Sequence, residues 1–404
     1  MQAIRELYKI GKGPSSSHTL APERACRLFV QQFGTFPFYR VRLFGSLSLT
    51  GKGHGTDTVI KETLPGETEV IFCLDWEEEF PNGFYLEALN EQKETVHKWT
   101  VFSIGGGSIR IREFPVSYND EVYSEKSFAE VLDVLKNEHL SIQEYEYAHE
   151  PGLKEYLKHI VHAEIQCVQS GLSKHGYLPG QLRIKRSAHE LYAAAIASEG
   201  DERKRLLMMA YAYAANEENA DGCTVVTAPT LGACGVIASM IYYSYKNLKI
   251  PEDRLADALA VGGLFGNLVK SNATISGAVG GCQAEVGTAV SMASAAFAFL
   301  DGQTIDQIEY AAEIGMEHHL GLTCDPVMGY VMIPCIERNA VGVLRAKDAA
   351  LLSRAMSMIK RHMISFDMVT DTMNATGKMI PIALKETSEG GLAQEYMDST
   401  KDAA

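Results

Sequence analysis

The hydrophobic period of the chain changes across residues 118–150, and no single layer of secondary structure can accommodate both patterns. Before that stretch, residues 37–117 alternate apolar and polar positions in "FYRVRLFGSLSL", "TEVIFCLDW", "GFYLEALN" and "ETVHKWTVFSIGGGSIRIREF". Aromatic and β-branched residues at a period of two, broken by Pro-Gly, Pro-Asn-Gly and Gly-Gly-Gly, predict strands joined by turns. A helical pattern near 20–33 makes this part α+β rather than all-β. From 151 onward, segments such as "RKRLLMMAYAYAANEEN", "ACGVIASMIYYSYKNL" and "PEDRLADALAVGGLFGNLV" repeat apolar residues at the spacing of a helix face. The expected protein is therefore multi-domain, with an N-terminal α+β domain (1–117), an acidic bridge (118–150) and a mostly α-helical domain (151–404). Ser127 followed by Glu130 reads as a capping box within the bridge. Several helices are apolar almost all round, which places them at the centre of a bundle and points to a homodimer.

Bulk properties narrow the function classes. A formal net charge of −14 argues against nucleic acid and against an anionic membrane surface as partners. The first residues, "MQAIRELYKIGKGPSSSHT", lack the apolar core and cleavage site of a secretory leader. The run "VGTAVSMASAAFAFL" (286–300) is too short to span a bilayer, and Glu285 interrupts its upstream extension. A cytoplasmic protein is expected. The 8 cysteines are then not expected to form disulfides. Cys73 lies in a strand pattern and Cys167 in a helical one, as core filler would.

Three other cysteines sit on irregular segments. Cys282 follows Gly280-Gly281, Cys324 precedes Asp325-Pro326, and Cys335 follows Pro334. Glycine and proline bend the backbone there, as ligands converging on a metal cluster require. Their spacing matches neither paired-cysteine zinc sites nor the compact ferredoxin run, so core cysteines beside turns fit the spacing equally well. The N-terminal loops are similarly open to two readings. Ser15, Ser16, Ser17 and Thr19 flank His18 and could hold a carboxylate, or could cap the helix that follows. His54 in "TGKGHGTD" could serve chemistry beside Lys52 and Asp57, or sit in solvent. The loop lacks the spacing of a phosphate-binding P-loop. "IGGGS" (104–108) reads as a hairpin turn.

The motifs "GPSSSHT", "TGKGHGTD", "SNATISG", "GGCQAEVG" and "GLTCDPVMGYVMIPCIERNA", in this order, closely resemble the oxygen-sensitive iron–sulfur L-serine dehydratases (L-serine ammonia-lyases) of bacteria. The resemblance covers essentially the whole chain. It implies that Cys282, Cys324 and Cys335 hold a [4Fe–4S] cluster whose fourth iron is open, and that pyridoxal phosphate is not used. An open iron is a Lewis acid suited to dehydration rather than electron transfer. L-Serine would be the small-molecule partner, with no nucleic acid or membrane involved. The resemblance makes His18 the general base that takes the Cα proton, a task its ordinary pKa suits. It places Ser15, Ser16, Ser17, Thr19, His54, Asp57, Thr227 and Asn272 around the substrate, and gives Glu337, Arg338 and Asn339 a supporting role behind Cys335.

Two positions depart from the family pattern: Leu231 and Met332 stand where polar residues are common. The ending "YMDSTKDAA" also lacks the terminal cysteine with which some relatives cap the open iron. Three other readings remain. A pyridoxal enzyme would need a lysine motif that does not accompany Lys270; a cysteine desulfidase would use the same cluster; and an iron–sulfur sensor would ordinarily carry a basic DNA-binding helix.

Overall fold

The computed structural model describes residues 1–116 and 121–401; the domain boundary expected between 117 and 118 lies outside the described residues. The two textures foreseen are both present. A five-stranded sheet runs in the order Glu67–Phe72, Phe38–Phe44, Gly83–Leu89, Thr95–Gly105, Ser108–Ile111. The first two strands pair in parallel and the others are antiparallel. The glycine run at 104–108 closes the last hairpin: Gly106 and Gly107 both take positive φ, 58° and 76°, as a two-residue turn matched to strand twist demands. Helix Ala21–Phe33 covers one face. Its Ala25, Cys26 and Phe29 meet Val41, Leu86, Trp99 and Ile109 from alternate strand positions, forming a core separate from that of the helical half.

One predicted strand stops short. The alternation "FYRVRLFGSLSL" continues through Leu49, yet the strand ends at Phe44, and Ser46–Leu49 and Gly51–His54 are helical turns. Gly45 is the cause. Its φ of 60° turns the chain out of the sheet, and a Cβ there would lie 2.0 Å from the Pro81 carbonyl oxygen. The crossover to strand Glu67–Phe72 thus starts with the short helices that carry His54 to the sheet's edge.

The remaining chain is helical. Helix Val286–Leu300 is buried from Val286 to Ala298 and packs against Glu252–Asn272, Ile305–Glu317 and Cys335–Ser357. Small residues permit this crowding: a Cβ on Gly262 of helix Glu252–Asn272 would come within 2.8 Å of the Met292 carbonyl oxygen. Ser127 caps helix Phe128–Glu138 by accepting from the Glu130 amide, while the Glu130 carboxylate accepts from the Lys126 amide instead of closing the box. No described helix is long and apolar enough to cross a membrane.

The first residues are stitched into the helical half. Met1, Ile4, Leu7 and Tyr8 belong to its core, and strand Ile10–Lys12 pairs antiparallel with Thr224–Val226. The segment leading to Ser15 and His18 therefore rises from the helical body before the sheet begins.

Gly45→Ala should lower the melting temperature markedly, because it adds both left-handed strain and a backbone clash. Gly34→Ala adds strain alone, roughly 1–3 kcal/mol, since its φ is 82° and a Cβ there would meet no atom within 4 Å. Equal melting shifts for the two variants would contradict the account of the strand's end.

Candidate active site

Six segments distant in sequence meet at the joint between the halves. A narrow cavity is lined by Ser15 and His54 from the N-terminal half, by Gly232, Cys282, Glu285, Val286, Cys324, Pro326, Val331 and Cys335 from the helical half, and by Glu386 from near the C-terminus. Cys282 opens a single helical turn after Gly281, whose φ of 73° and approach to the Leu322 carbonyl oxygen exclude a side chain. Cys324 lies in a loop that bridges in parallel to Lys385. Cys335 is the first residue of helix Cys335–Ser357, which follows directly on Pro334.

The thiols differ in environment. Cys282 is held below the usual thiol range by its hydrogen bond with Cys324 and by the Arg338 charge. Cys324 is pushed up by that same bond and by burial, and Cys335 by burial. Arg338 is anchored to the Thr323 carbonyl at 2.6 Å and to Asp325 at 3.3 Å, so its cation is fixed beside the sulfurs. Asn339 ties the same loop down through the Gly232 and Cys335 carbonyls, both at 2.9 Å. The three sulfurs share one cavity but do not all lie within 4.8 Å of one another.

The two histidines stack, with ring centroids 4.1 Å apart, but they are not equivalent. His18 is fully buried and both its nitrogens are engaged. Nε2 faces the Ser46 carbonyl at 3.1 Å and Thr50 Oγ1 at 2.9 Å. A carbonyl can only accept, so Nε2 carries the proton and Nδ1 accepts from a serine hydroxyl, with Ser17 at 2.9 Å and Ser15 at 3.1 Å. His54 donates from Nδ1 to the Thr50 carbonyl at 2.9 Å, which leaves Nε2 as a lone-pair nitrogen with no partner among the described residues. Burial pushes His54 down to about 4 and His18 well below the usual imidazole range, so both rings are neutral at pH 7.

Two carboxyls complete the wall. Glu285 accepts a weak bond from Cys324 Sγ at 3.8 Å, and burial raises its pKa. Glu386 takes Ser17 Oγ at 3.3 Å on Oε1 and lies 3.7 Å from His18 Nδ1; burial pushes it up to about 7. Glu285 lies within the "GGCQAEVG" motif without being singled out there, and Glu386 lies outside every motif. Glu285 has a faint signal, a charge interrupting the most apolar stretch of the chain. Glu386 has none.

Other expected contacts are spent elsewhere. Thr19 bonds the Lys12 and Ser15 carbonyls and shapes the loop. Ser16 is buried in the turn without lining the cavity. Asp57 lies 3.9 Å from Lys61 on its own helix. Thr227 uses its hydroxyl on the Leu7 carbonyl and Lys9 amide, 2.7 and 2.8 Å. Asn272 bonds the Lys126 carbonyl at 2.6 Å. Leu231 and Met332 are buried in hydrophobic clusters and do not line the cavity. A larger cleft of about 610 Å³ beside helix Leu153–Ser173 holds Lys174, Glu218 and Cys223 but none of these groups.

The sequence matches two family models, the serine dehydratase beta chain over residues 3–71 and the serine dehydratase alpha chain over residues 121–393. It is 37% identical to an L-serine dehydratase of Streptomyces coelicolor, across 98% of this chain and 99% of that protein. Identity is also 37% to L-serine dehydratase 1 of Escherichia coli, covering 97% and 99%, and 36% to an L-serine dehydratase of Helicobacter pylori, covering 97% and 98%.

The bonding pattern separates the two histidines by stability. His18→Ala strands several buried hydroxyls and should cost roughly 2–4 kcal/mol, whereas His54→Ala removes one hydrogen bond and a stack and should cost about 1–2 kcal/mol. Denaturant titration of the iron-free proteins checks the order, and a reversed order would contradict the assigned hydrogen bonds.

Proposed function

The chain belongs to the serine dehydratase family, and we propose that it converts L-serine to pyruvate and ammonia by removing water across Cα–Cβ. The observation that carries this reading is the cavity itself, where three cysteines and a histidine with a free lone pair face one space.

The residues fit an iron–sulfur cluster. Three cysteines carried on separate loops line one buried cavity, a thiol donor set of the kind that ligates iron–sulfur clusters. Arg338 offsets the negative charge that bound thiolates would concentrate there. Cys282, Cys324 and Cys335 would hold the cluster, and three protein ligands leave one iron open. When bound, it supplies Lewis acidity to the departing hydroxyl of the substrate.

The remaining work falls to the chain. His54 Nε2 takes the Cα proton: it is neutral, unpartnered, and part of the cavity wall. His18, the base expected from sequence, instead holds the serine hydroxyls in place, because both its nitrogens are occupied and it is sealed from the cavity. Ser15 forms part of the wall beside His54, its hydroxyl engaged with His18 Nδ1 and Ser17. Val286, Pro326 and Val331 keep water from the reacting atoms. The enamine released on elimination tautomerises and hydrolyses in water without assistance.

Protein purified without oxygen should form pyruvate from L-serine, lose that activity in air, and regain it with iron and reductant. Activity indifferent to air would remove the cluster from the mechanism. L-Cysteine processed in preference to L-serine would favour desulfidation. Within the active protein, His54→Ala should lower kcat by roughly 10²–10⁴-fold while iron and sulfide content stay normal. A near-normal rate in His54→Ala, with turnover lost in cluster-loaded His18→Ala, would return the base to His18.

A further inference from the structure

We propose that Glu386 receives the α-ammonium group of the substrate and thereby makes the cavity selective for amino acids over hydroxy acids. The inference rests on the dehydratase reading above and adds a recognition residue to it. Glu386 lines the cavity and is only 5% exposed. Its two oxygens are used unequally. Oε1 accepts from Ser17 Oγ at 3.3 Å, whereas Oε2 is buried and makes no hydrogen bond of good geometry, with the Ser46 hydroxyl and the Ala278 amide as the further donors beside the carboxylate. An unsatisfied buried carboxylate oxygen is costly, and the group that relieves it most fully is a cation carrying several N–H donors. The α-ammonium of an amino acid is such a group. The other acid in the wall, Glu285, already accepts from Cys324 Sγ, and the wall contains no lysine or arginine to compete for Oε2.

The way Glu386 is held also points to a placed side chain. Its φ is 60°, a conformation that non-glycine residues adopt at a cost, and Ser388 repeats it at 59°. The segment is pinned across the Cys324 loop at several points. The Glu386 amide bonds the Cys324 carbonyl at 2.6 Å, Ser388 Oγ bonds the Pro326 carbonyl at 2.7 Å, and the Leu392 amide bonds Asp325 Oδ2 at 2.8 Å. A strap from near the C-terminus is thus fastened beside one cysteine and turns a carboxylate into the cavity.

The test compares L-serine with L-glycerate, in which a hydroxyl replaces the ammonium, on anaerobically prepared wild type, Glu386→Gln and Glu386→Asp. Iron, sulfide and the visible spectrum are measured on each. In Glu386→Gln, KM for L-serine should rise roughly 10- to 100-fold while the inhibition constant of L-glycerate moves less than about threefold. Glu386→Asp, which keeps the charge, should retain part of the preference. An unchanged preference in Glu386→Gln, including a fall in kcat alone, overturns the proposal. So does loss of iron in both variants, which would make Glu386 a support for the cysteines. Wild type that forms no pyruvate from L-serine would instead overturn the dehydratase reading beneath it.

Discussion

The site exists only where two backbones touch. A Cβ on Gly53 would lie 3.0 Å from the Gly329 carbonyl oxygen, so the loop bearing His54 rests directly on the loop between Cys324 and Cys335. Neither half alone encloses the cavity. The contact is made dependable by the first residues of the chain, which are part of the helical core and feed upward into the Ser15–His18 turn. The Gly13 amide bonds the Cys223 carbonyl at 3.0 Å and Asn219 Nδ2 bonds the Pro14 carbonyl at 2.7 Å. The Ser15–His18 turn is consequently tethered at its start to the helical body, while the His18 ring is held by the Ser46 carbonyl and Thr50 of the sheet's crossover, the same segment that carries His54. The cavity is closed by groups from both sides of that contact, so docking of the halves and assembly of the site are one event.

Burial then dictates the chemistry available. A low-dielectric cavity disfavours isolated charge, which pushes imidazoles toward the neutral form and carboxyls toward protonation. Arg338 is tolerated because Asp325, the Thr323 carbonyl and the sulfurs surround it. A base that is neutral before the substrate arrives does not have to shed a proton first. A carboxyl raised by desolvation is returned to its ionised form by an incoming cation, so an ammonium group that enters creates the charge that binds it.

Much of the architecture was legible because periodicity reports burial. The helix Val286–Leu300 is central for the reason its sequence gives: no polar face exists to meet solvent. The failure at "GSLSL" has an equally physical origin. Alternation cannot register that Gly45 takes positive φ beneath the Pro81 carbonyl, which is a tertiary fact. Within the site, the glycines and prolines around the cysteines fitted core thiols equally well, and it was the family motifs that singled out the three that line one cavity. Thr227 and Asn272 bond neighbouring backbone carbonyls, and a polar residue in a glycine-rich loop looks the same in sequence whether it bonds a substrate or such a carbonyl. The division of labour between His18 and His54 turns on which ring nitrogen meets a carbonyl, and no sequence pattern encodes that. Glu386 shares no local pattern with the cysteines it joins.

The choice between cofactors can be argued from where the amines are. A pyridoxal enzyme needs a lysine amine inside its cavity. Lys270, near the end of its helix, instead places Nζ 3.5 Å from the Glu6 carbonyl and 3.4 Å from Ser108 Oγ, in a cluster with Lys9 and Arg24 that lies apart from the thiols. That cluster joins the first residues of the chain to the last strand of the sheet, a structural task. The cavity offers sulfur, imidazole and carboxyl groups instead. In the proposed reading sulfur would ligate a soft metal centre, imidazole would move a proton, and carboxylate would meet an ammonium. These are the three demands of eliminating water from a β-hydroxy amino acid, and the four segments that supply them share no neighbourhood in sequence.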